Sequence, residues 1–179
     1  MKFRFKKINL ITAVLTAVAV LFTMPTLSRQ FITTATQKQV SSDYNKQVDC
    51  LAKNIYYEAA QEPYEGKLAV AQVTLNRVNS GQFPTDICSV VYQKTTDANL
   101  RTVCQFSWTC MVKEMVQIRD RYRWEESVLI AQRALTVPVL HDKIAETHAL
   151  YYHAIYVNPG WNKQKVVAKI GNHIFYTKT

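Results

Sequence analysis

The sequence predicts an α+β domain that is mainly helical, with a small β-hairpin near its C-terminus. Three observations carry this reading. Apolar residues recur at helical spacing through successive stretches between Val48 and Leu135. That periodicity gives way beyond Pro138 to a tail in which Ala149–Val157 is dense in tyrosine and apolar residues. Two short runs, Val166–Ile170 and His173–Tyr176, then flank Gly171-Asn172, and such a pair around Gly-Asn signals a hairpin.

Residues 1–28 read as a targeting segment that precedes the fold. Lys2 to Lys7 form a basic cluster, and Ile8 to Met24 form an apolar run broken only by Asn9 and single threonines. A core helix would not explain the basic cluster in front of it. The small-residue site Thr26-Leu27-Ser28 is a poor cleavage signal. The reading is therefore export, with residues 8–24 anchoring the chain in the cytoplasmic membrane and cleavage of a signal peptide left open. Residues 29–46 are rich in Thr, Ser and Gln and read as a polar tether, so that the folded body occupies 47–179. The expected location is the cell envelope or periplasm.

An apolar share of 48% against 20% charged residues marks a globular chain. Lys2, Arg4, Lys6, Lys7 and Arg29 account for five of the nine net positive charges, which leaves the rest at +4. That mild excess suits an anionic substrate and is too weak for a nucleic-acid partner.

Within the body, the first helix is expected from about Val48 to Glu62, where Leu51, Ile55 and Glu58 share one stripe. Pro63 disfavours helix at the residue before it and opens the next segment. Leu68, Ala71, Leu75 and Val78 carry a second helix from Tyr64 to Asn79, stopped by Ser80-Gly81. Arg77 in its last turn reads as a cation favoured by the helix dipole. Thr85 or Asp86 caps a short helix through Val90 and Tyr92. From Gln93 to Met111 the period fails and a loop is expected. Trp124, Val128, Ala131 and Leu135 then mark a helix that ends before Pro138.

Four cysteines follow the apolar run, and an even count in an oxidising compartment suggests two disulfides. Three connectivities are possible. Cys104 and Cys110 flank one loop, which favours Cys104–Cys110 with Cys50–Cys88. A zinc site built from all four is the rival, although no C-x-x-C pair is present. His141, His148, His153 and His173 are irregularly spaced, and neither a metal nor another cofactor is expected.

Glu58 is the candidate for chemistry. A carboxyl on an apolar helix stripe is poorly solvated as an anion, which raises its pKa and lets it act as a general acid. Glu62, one turn on, would add like-charge repulsion in the same direction. The bland alternative is that Glu58 curls to the surface or caps a neighbouring helix.

The run Asn54-Ile-Tyr-Tyr-Glu58-Ala-Ala-Gln-Glu62-Pro63, continuing to Leu75-Asn76-Arg77-Val78, resembles the catalytic domain of the SleB/CwlJ-type cell wall hydrolases. The resemblance continues through Phe83-Pro84, Cys104-Gln-Phe-Ser-Trp108, Tyr152-His153-Ala154, Asn158-Pro159 with Trp161, and Gly171-Asn-His173. It implies a lysozyme-like, lytic transglycosylase-like fold acting on peptidoglycan, with Glu58 as the catalytic acid. Cleavage would fall between N-acetylmuramic acid and N-acetylglucosamine. No second acid is an obvious partner, which favours a lytic transglycosylase over a hydrolase of the two-carboxylate kind. Gln105, Ser107, Trp108, Tyr152, Asn158 and Trp161 mix amides, hydroxyls and rings as a glycan groove would, with His153 and His173 read as further substrate contacts or as groups that orient Tyr152. Phe106 and Phe175 read as core. The rival functions are a non-catalytic peptidoglycan-binding envelope module and an amidase acting on stem peptides.

Overall fold

The computed structural model describes residues 36–111, 113, 116–137, 143–160 and 164–178. The expected anchor at residues 8–24, the whole of 1–28, His141 and Trp161 lie outside the described residues. Two compact units divide the chain, residues 1–44 and 45–179. Of the first, residues 36–44 are described; they are helical and exposed. Thr, Ser and Gln mark that stretch as solvated, but with no Gly or Pro they leave helix open to it. Everything that follows concerns the second unit.

Helix α1 covers 45–59 of this unit. It stops short of the expected Glu62 because residues 60–62 form a turn, closed by Glu62 N–H to the Ala59 carbonyl at 2.9 Å, ahead of Pro63. Helix α2 is Tyr64–Asn79, opened by extended Pro63 and closed at Ser80, whose N–H and hydroxyl both donate to the Arg77 carbonyl. Its buried residues include Lys67, Ala69, Val70, Ala71, Val73, Thr74 and Asn76, so polar groups on it need partners. Lys67 pairs with Glu126 at 2.6 Å, and Asn76 donates to the carbonyls of Ile144 and Ala149. Helix α3, Ile87–Val91, is capped by Asp86, which accepts from Ser89 N–H at 2.9 Å. The Cys50–Cys88 disulfide ties α3 to α1.

The stretch expected as a loop holds a hairpin, β1 (Lys94–Thr96) with antiparallel β2 (Thr102–Cys104). Both strands are short and largely exposed, so no apolar alternation announces them. Asp97 builds their turn by accepting from the N–H groups of Asn99 and Arg101. A 3₁₀ turn, Ser107–Cys110, follows, and Cys104–Cys110 closes the loop between them. Helix α4 is Arg121–Thr136, capped by Asp120, and α5 is the short Lys143–Glu146, which the sequence does not announce.

The tail forms a three-stranded antiparallel sheet in the order β3-β5-β4, where β3 is Tyr151–Ala154, β4 Gln164–Ile170 and β5 His173–Lys178. The expected hairpin is its β4–β5 half, and β3 pairs along the other edge of β5, with Tyr152 opposite Phe175. Two apolar clusters result. One gathers Leu51, Ile55, Val91, Phe106, Trp108 and Ile130; the other gathers Ala59, Val70, Val73, Ile144 and Phe175. Tyr152 packs against both.

The β4–β5 turn is locked to the end of α1. Glu62 accepts from the backbone N–H of Asn172 at 2.8 Å and from its side-chain amide at 3.1 Å. Gly171 has φ +56°, and a Cβ there would collide with Glu62 Oε2 and press on Pro63. Gly81 has φ +68° with nothing near its side-chain position. Gly171→Ala should therefore add a broken Glu62 contact to the left-handed strain of about 1–3 kcal/mol that both substitutions carry. Denaturant titration should find Gly171→Ala clearly less stable than Gly81→Ala. Equal losses would mean that the Glu62 clamp contributes nothing.

Candidate active site

The site grows from the buried stripe of α1. Leu51 and Ile55 are fully buried, and Glu58 follows them on the same face as a half-buried carboxyl. Strand β3 supplies its partner: the Tyr152 hydroxyl donates to Glu58 Oε2 at 3.1 Å. Burial pushes the Glu58 carboxyl above the ordinary carboxylate value, while the Tyr152 hydrogen bond and the Arg77 charge pull the other way without cancelling it. The surface alternative for Glu58 does not hold. A carboxyl so placed keeps its proton to higher pH than a solvated one, yet finds a donor and a cation when it ionises.

Tyr152 is fixed by packing. Its ring lies against Phe175 at 5.6 Å between centroids, and the His173 ring meets it edge-on at 5.2 Å. Burial and the Glu58 charge push its phenol well above the usual tyrosine value, so it stays a donor. His173 is itself buried, and burial pushes its pKa below the ordinary value, leaving it neutral at pH 7. Its Nδ1 lies 3.9 Å from Glu62 Oε2. The sequence leaves His173 either to contact substrate or to orient Tyr152, and its ring packs against Tyr152.

Glu62 turns to the β4–β5 turn described above, and the groups that shift Glu58 are its burial, Tyr152 and Arg77. The like-charge repulsion expected from Glu62 is not among them, because its two hydrogen bonds to Asn172 direct its carboxylate elsewhere. His153 also parts from Tyr152. Successive strand residues face opposite ways, and His153 stacks on Tyr176 and shares a 2.7 Å hydrogen bond with its hydroxyl. Asn158 is exposed and accepts from Gly160 N–H in its own turn.

Trp108 is 5% exposed and reaches α1. Its indole N–H donates to Asn54 Oδ1 at 3.3 Å, and the Asn54 amide donates in turn to Thr74 at 3.2 Å. Asn54 is fully buried and one turn before Glu58; an amide on an apolar stripe is the signal in the sequence that marks it. Trp108 stacks on Tyr57 at 4.6 Å and meets Tyr92 edge-on at 5.7 Å. These three rings, with Lys53 and Met111, line a cleft of about 520 Å³ on the flank of α1. Ser107 is exposed beside Trp108, and Gln105 continues the β1–β2 ladder through its N–H to the Gln93 carbonyl.

Arg77 departs from its expected place. It is 4% exposed, not solvated, because its Nε donates to the Leu150 carbonyl at 2.8 Å and its guanidinium lies 5.2 Å from the ring centroids of both Phe83 and Phe106. All four cysteines are in disulfides, Cys50 with Cys88 and Cys104 with Cys110, which removes the thiolates that a zinc site would need.

The chain is similar to known proteins. The chain is 28% identical over 138 residues to a spore cortex-lytic enzyme of Bacillus subtilis, a match that takes in 73% of this chain and 37% of that protein. A spore cortex-lytic enzyme of Bacillus cereus is 41% identical over 135 residues, or 72% of this chain and 43% of that one. The chain thus spans about two fifths of the length of these curated relatives. Among solved structures, the catalytic domain of the germination-specific lytic transglycosylase SleB from Bacillus anthracis aligns with a TM-score of 0.50 at 27% identity, over 73% of this chain and 93% of that one. The fold is accordingly α+β, mainly α, and lysozyme-like. Residues 61–176 match the family described as cell wall hydrolase, a span that begins just beyond Glu58 and takes in α2, the aromatic loop and nearly all of the C-terminal sheet. On that match, over more than half its length, the chain belongs to the cell wall hydrolase family.

Proposed function

We propose that this domain cleaves the glycan strands of peptidoglycan between N-acetylmuramic acid and N-acetylglucosamine, as a lytic transglycosylase in which Glu58 serves as both acid and base. The observation that carries the reading is a single carboxyl, half-buried at the seam of two apolar clusters and held by Tyr152, with Glu62 committed elsewhere. Protonated Glu58 gives its proton to the glycosidic oxygen as the bond to the muramoyl anomeric carbon breaks. The 6-hydroxyl of the same sugar then closes on that carbon, and the Glu58 carboxylate takes the hydroxyl proton. Glu58 ends as it began, no water is consumed, and the product carries a 1,6-anhydro ring. The hydrolytic scheme would need a second carboxylate within several ångströms. Glu62, the carboxylate one turn along, is bonded to Asn172 instead.

The cleft beside α1 supports a polymer of sugars. Exposed Tyr92 and half-buried Tyr57, backed by the buried Trp108, offer ring surface to the apolar faces of pyranosides, and exposed Ser107 offers a hydroxyl. The Bacillus anthracis neighbour is a lytic transglycosylase, and this chemistry agrees with the activity of that protein. We also infer that the domain works outside the cytoplasmic membrane, held there by residues 8–24. Two disulfides and the basic, then apolar, N-terminus support that location.

Incubated with purified peptidoglycan, the chain should release muropeptides with anhydro ends, read by mass spectrometry. Glu58→Gln should lower that release about 100-fold or more while the protein still folds. Reducing-end products would replace the transglycosylase reading by hydrolysis, and full activity of the variant would remove Glu58 from the mechanism.

Stability gives an independent check. Because folding raises the pKa of Glu58, its contribution to stability is full below the unfolded value of 4.5 and is lost as pH rises through the higher folded value. Glu58→Gln has no charge to bury and still accepts from Tyr152. It should melt above the wild type at pH 8, with the difference shrinking towards pH 4. A difference that stays constant across this range would mean that Glu58 is not desolvated.

A further inference from the structure

We propose that Arg77 is a positioning residue for the acid: its buried guanidinium holds a fixed positive charge facing Glu58 and stabilises the carboxylate as the proton leaves. The inference rests on Glu58 being the catalytic acid, as proposed above.

An arginine in the last turn of a helix normally reaches water, where it is favoured by the helix dipole and screened by solvent. Arg77 is folded inward instead. Its Nε is fastened to the Leu150 carbonyl, one residue before β3, and its guanidinium lies against the rings of Phe83 and Phe106. Planar guanidinium fits such a slot between rings. These contacts leave the charge itself unmatched. Arg77 makes no ion pair among the described residues, and its Nη1 has no hydrogen-bond partner among them.

The Leu150 carbonyl that holds Arg77 stands two residues before Tyr152, whose hydroxyl bonds Glu58, and the charges that act on Arg77 are those of Tyr152 and Tyr151 on β3 and Glu58 on α1. Tyr152 is held neutral by burial far above its ordinary pKa. Glu58 is therefore the group opposite Arg77 whose charge changes in the reaction. Glu58 in turn is bonded to Tyr152 and feels the Arg77 charge. One layer further out stand His173, neutral on β5, and Glu62, bonded to Asn172. Among the described residues no carboxylate lies in contact with the guanidinium to neutralise it, and the surroundings are poorly screened, so its field reaches the acid. A guanidinium keeps its proton throughout the working pH range, and its charge is the same when Glu58 gives a proton and when it takes one back.

A purely structural Arg77 would hold α2 against β3 and leave the acid's titration alone. The test is kcat/KM for muropeptide release by the full chain across pH, for wild type, Arg77→Gln, Arg77→Lys and Glu58→Gln. In R77Q the side-chain amide nitrogen falls where Arg77 Nε stood, so the bond to Leu150 is kept while the charge is removed; R77K keeps a charge. Removing the cation makes Glu58 a weaker acid. R77Q should show a plateau about 3- to 10-fold lower and an alkaline limb displaced to higher pH. R77K should keep the limb of the wild type. An unmoved limb in folded R77Q, or an R77K profile that matches R77Q, would overturn the proposal. If R77Q gives no cooperative melt, R77K decides: activity with the wild-type limb supports the charge, and lost activity or a displaced limb refutes it. Activity retained by Glu58→Gln would defeat the assignment of the acid, whereas an inactive Glu58→Gln beside an unmoved R77Q limb would defeat only the role of Arg77.

Discussion

The hydrogen bond from the Tyr152 hydroxyl to Glu58 joins the C-terminal sheet to α1, across ninety-four residues of chain, and the geometry of the site depends on it. Tyr152 can reach Glu58 because its ring is wedged between both apolar clusters, backed by Phe175 and His173. Burial favours the neutral carboxyl; the phenol donor and the Arg77 cation favour the anion. Burial prevails, and the carboxyl stays above its ordinary value. The mechanism proposed for Glu58, in which one carboxyl gives a proton and later takes one, draws on both influences.

The two glutamates near the end of α1 show how position on a short stretch of chain divides labour. Glu58 lies on the helix stripe and faces the seam between the clusters. Glu62 lies beyond the last helical residue, where the turn before Pro63 swings it towards the β4–β5 turn. There it satisfies the Asn172 backbone N–H and excludes any side chain at position 171. The clamp fixes β5, β5 carries Phe175 and His173, and those two rings fix Tyr152. A carboxylate that takes no part in holding Glu58 thus governs where the donor to Glu58 sits.

Features written in local chemistry were legible in the sequence. The limits of α2 follow from Pro63 in front and Ser80-Gly81 behind, α3 from Asp86, the end of α4 from Pro138, and the β4–β5 hairpin from Gly171-Asn172. The stripe of Leu51, Ile55 and Glu58 announced a carboxyl in apolar surroundings. What was not legible depends on partners distant in sequence. β1 and β2 are largely exposed and show no alternation. Arg77 reads as a dipole cation until Phe83, Phe106 and the Leu150 carbonyl close around it. His153 and Tyr152 are adjacent in the chain, and only the strand register sends them to opposite faces.

Helix geometry also explains how Glu58 and the aromatic cleft come to lie on adjoining faces of α1. Adjacent residues of an α-helix point roughly 100° apart. Glu58 therefore faces the seam of the two clusters while Tyr57 faces the flank, where Trp108 stacks on it. The loop that delivers Trp108 sets Phe106 and Trp108 into the first apolar cluster. It is fixed at three further points: the Cys104–Cys110 bond closes it, Phe106 is buried against Arg77, and the Trp108 indole is bonded to Asn54 one turn before Glu58. Phe106 covers the guanidinium of Arg77, and the Trp108 indole is bonded to α1 one turn before Glu58. A shift of the loop would therefore move the stacked rings and disturb the covering of Arg77 together, which keeps the aromatic flank in register with the Glu58 end of α1.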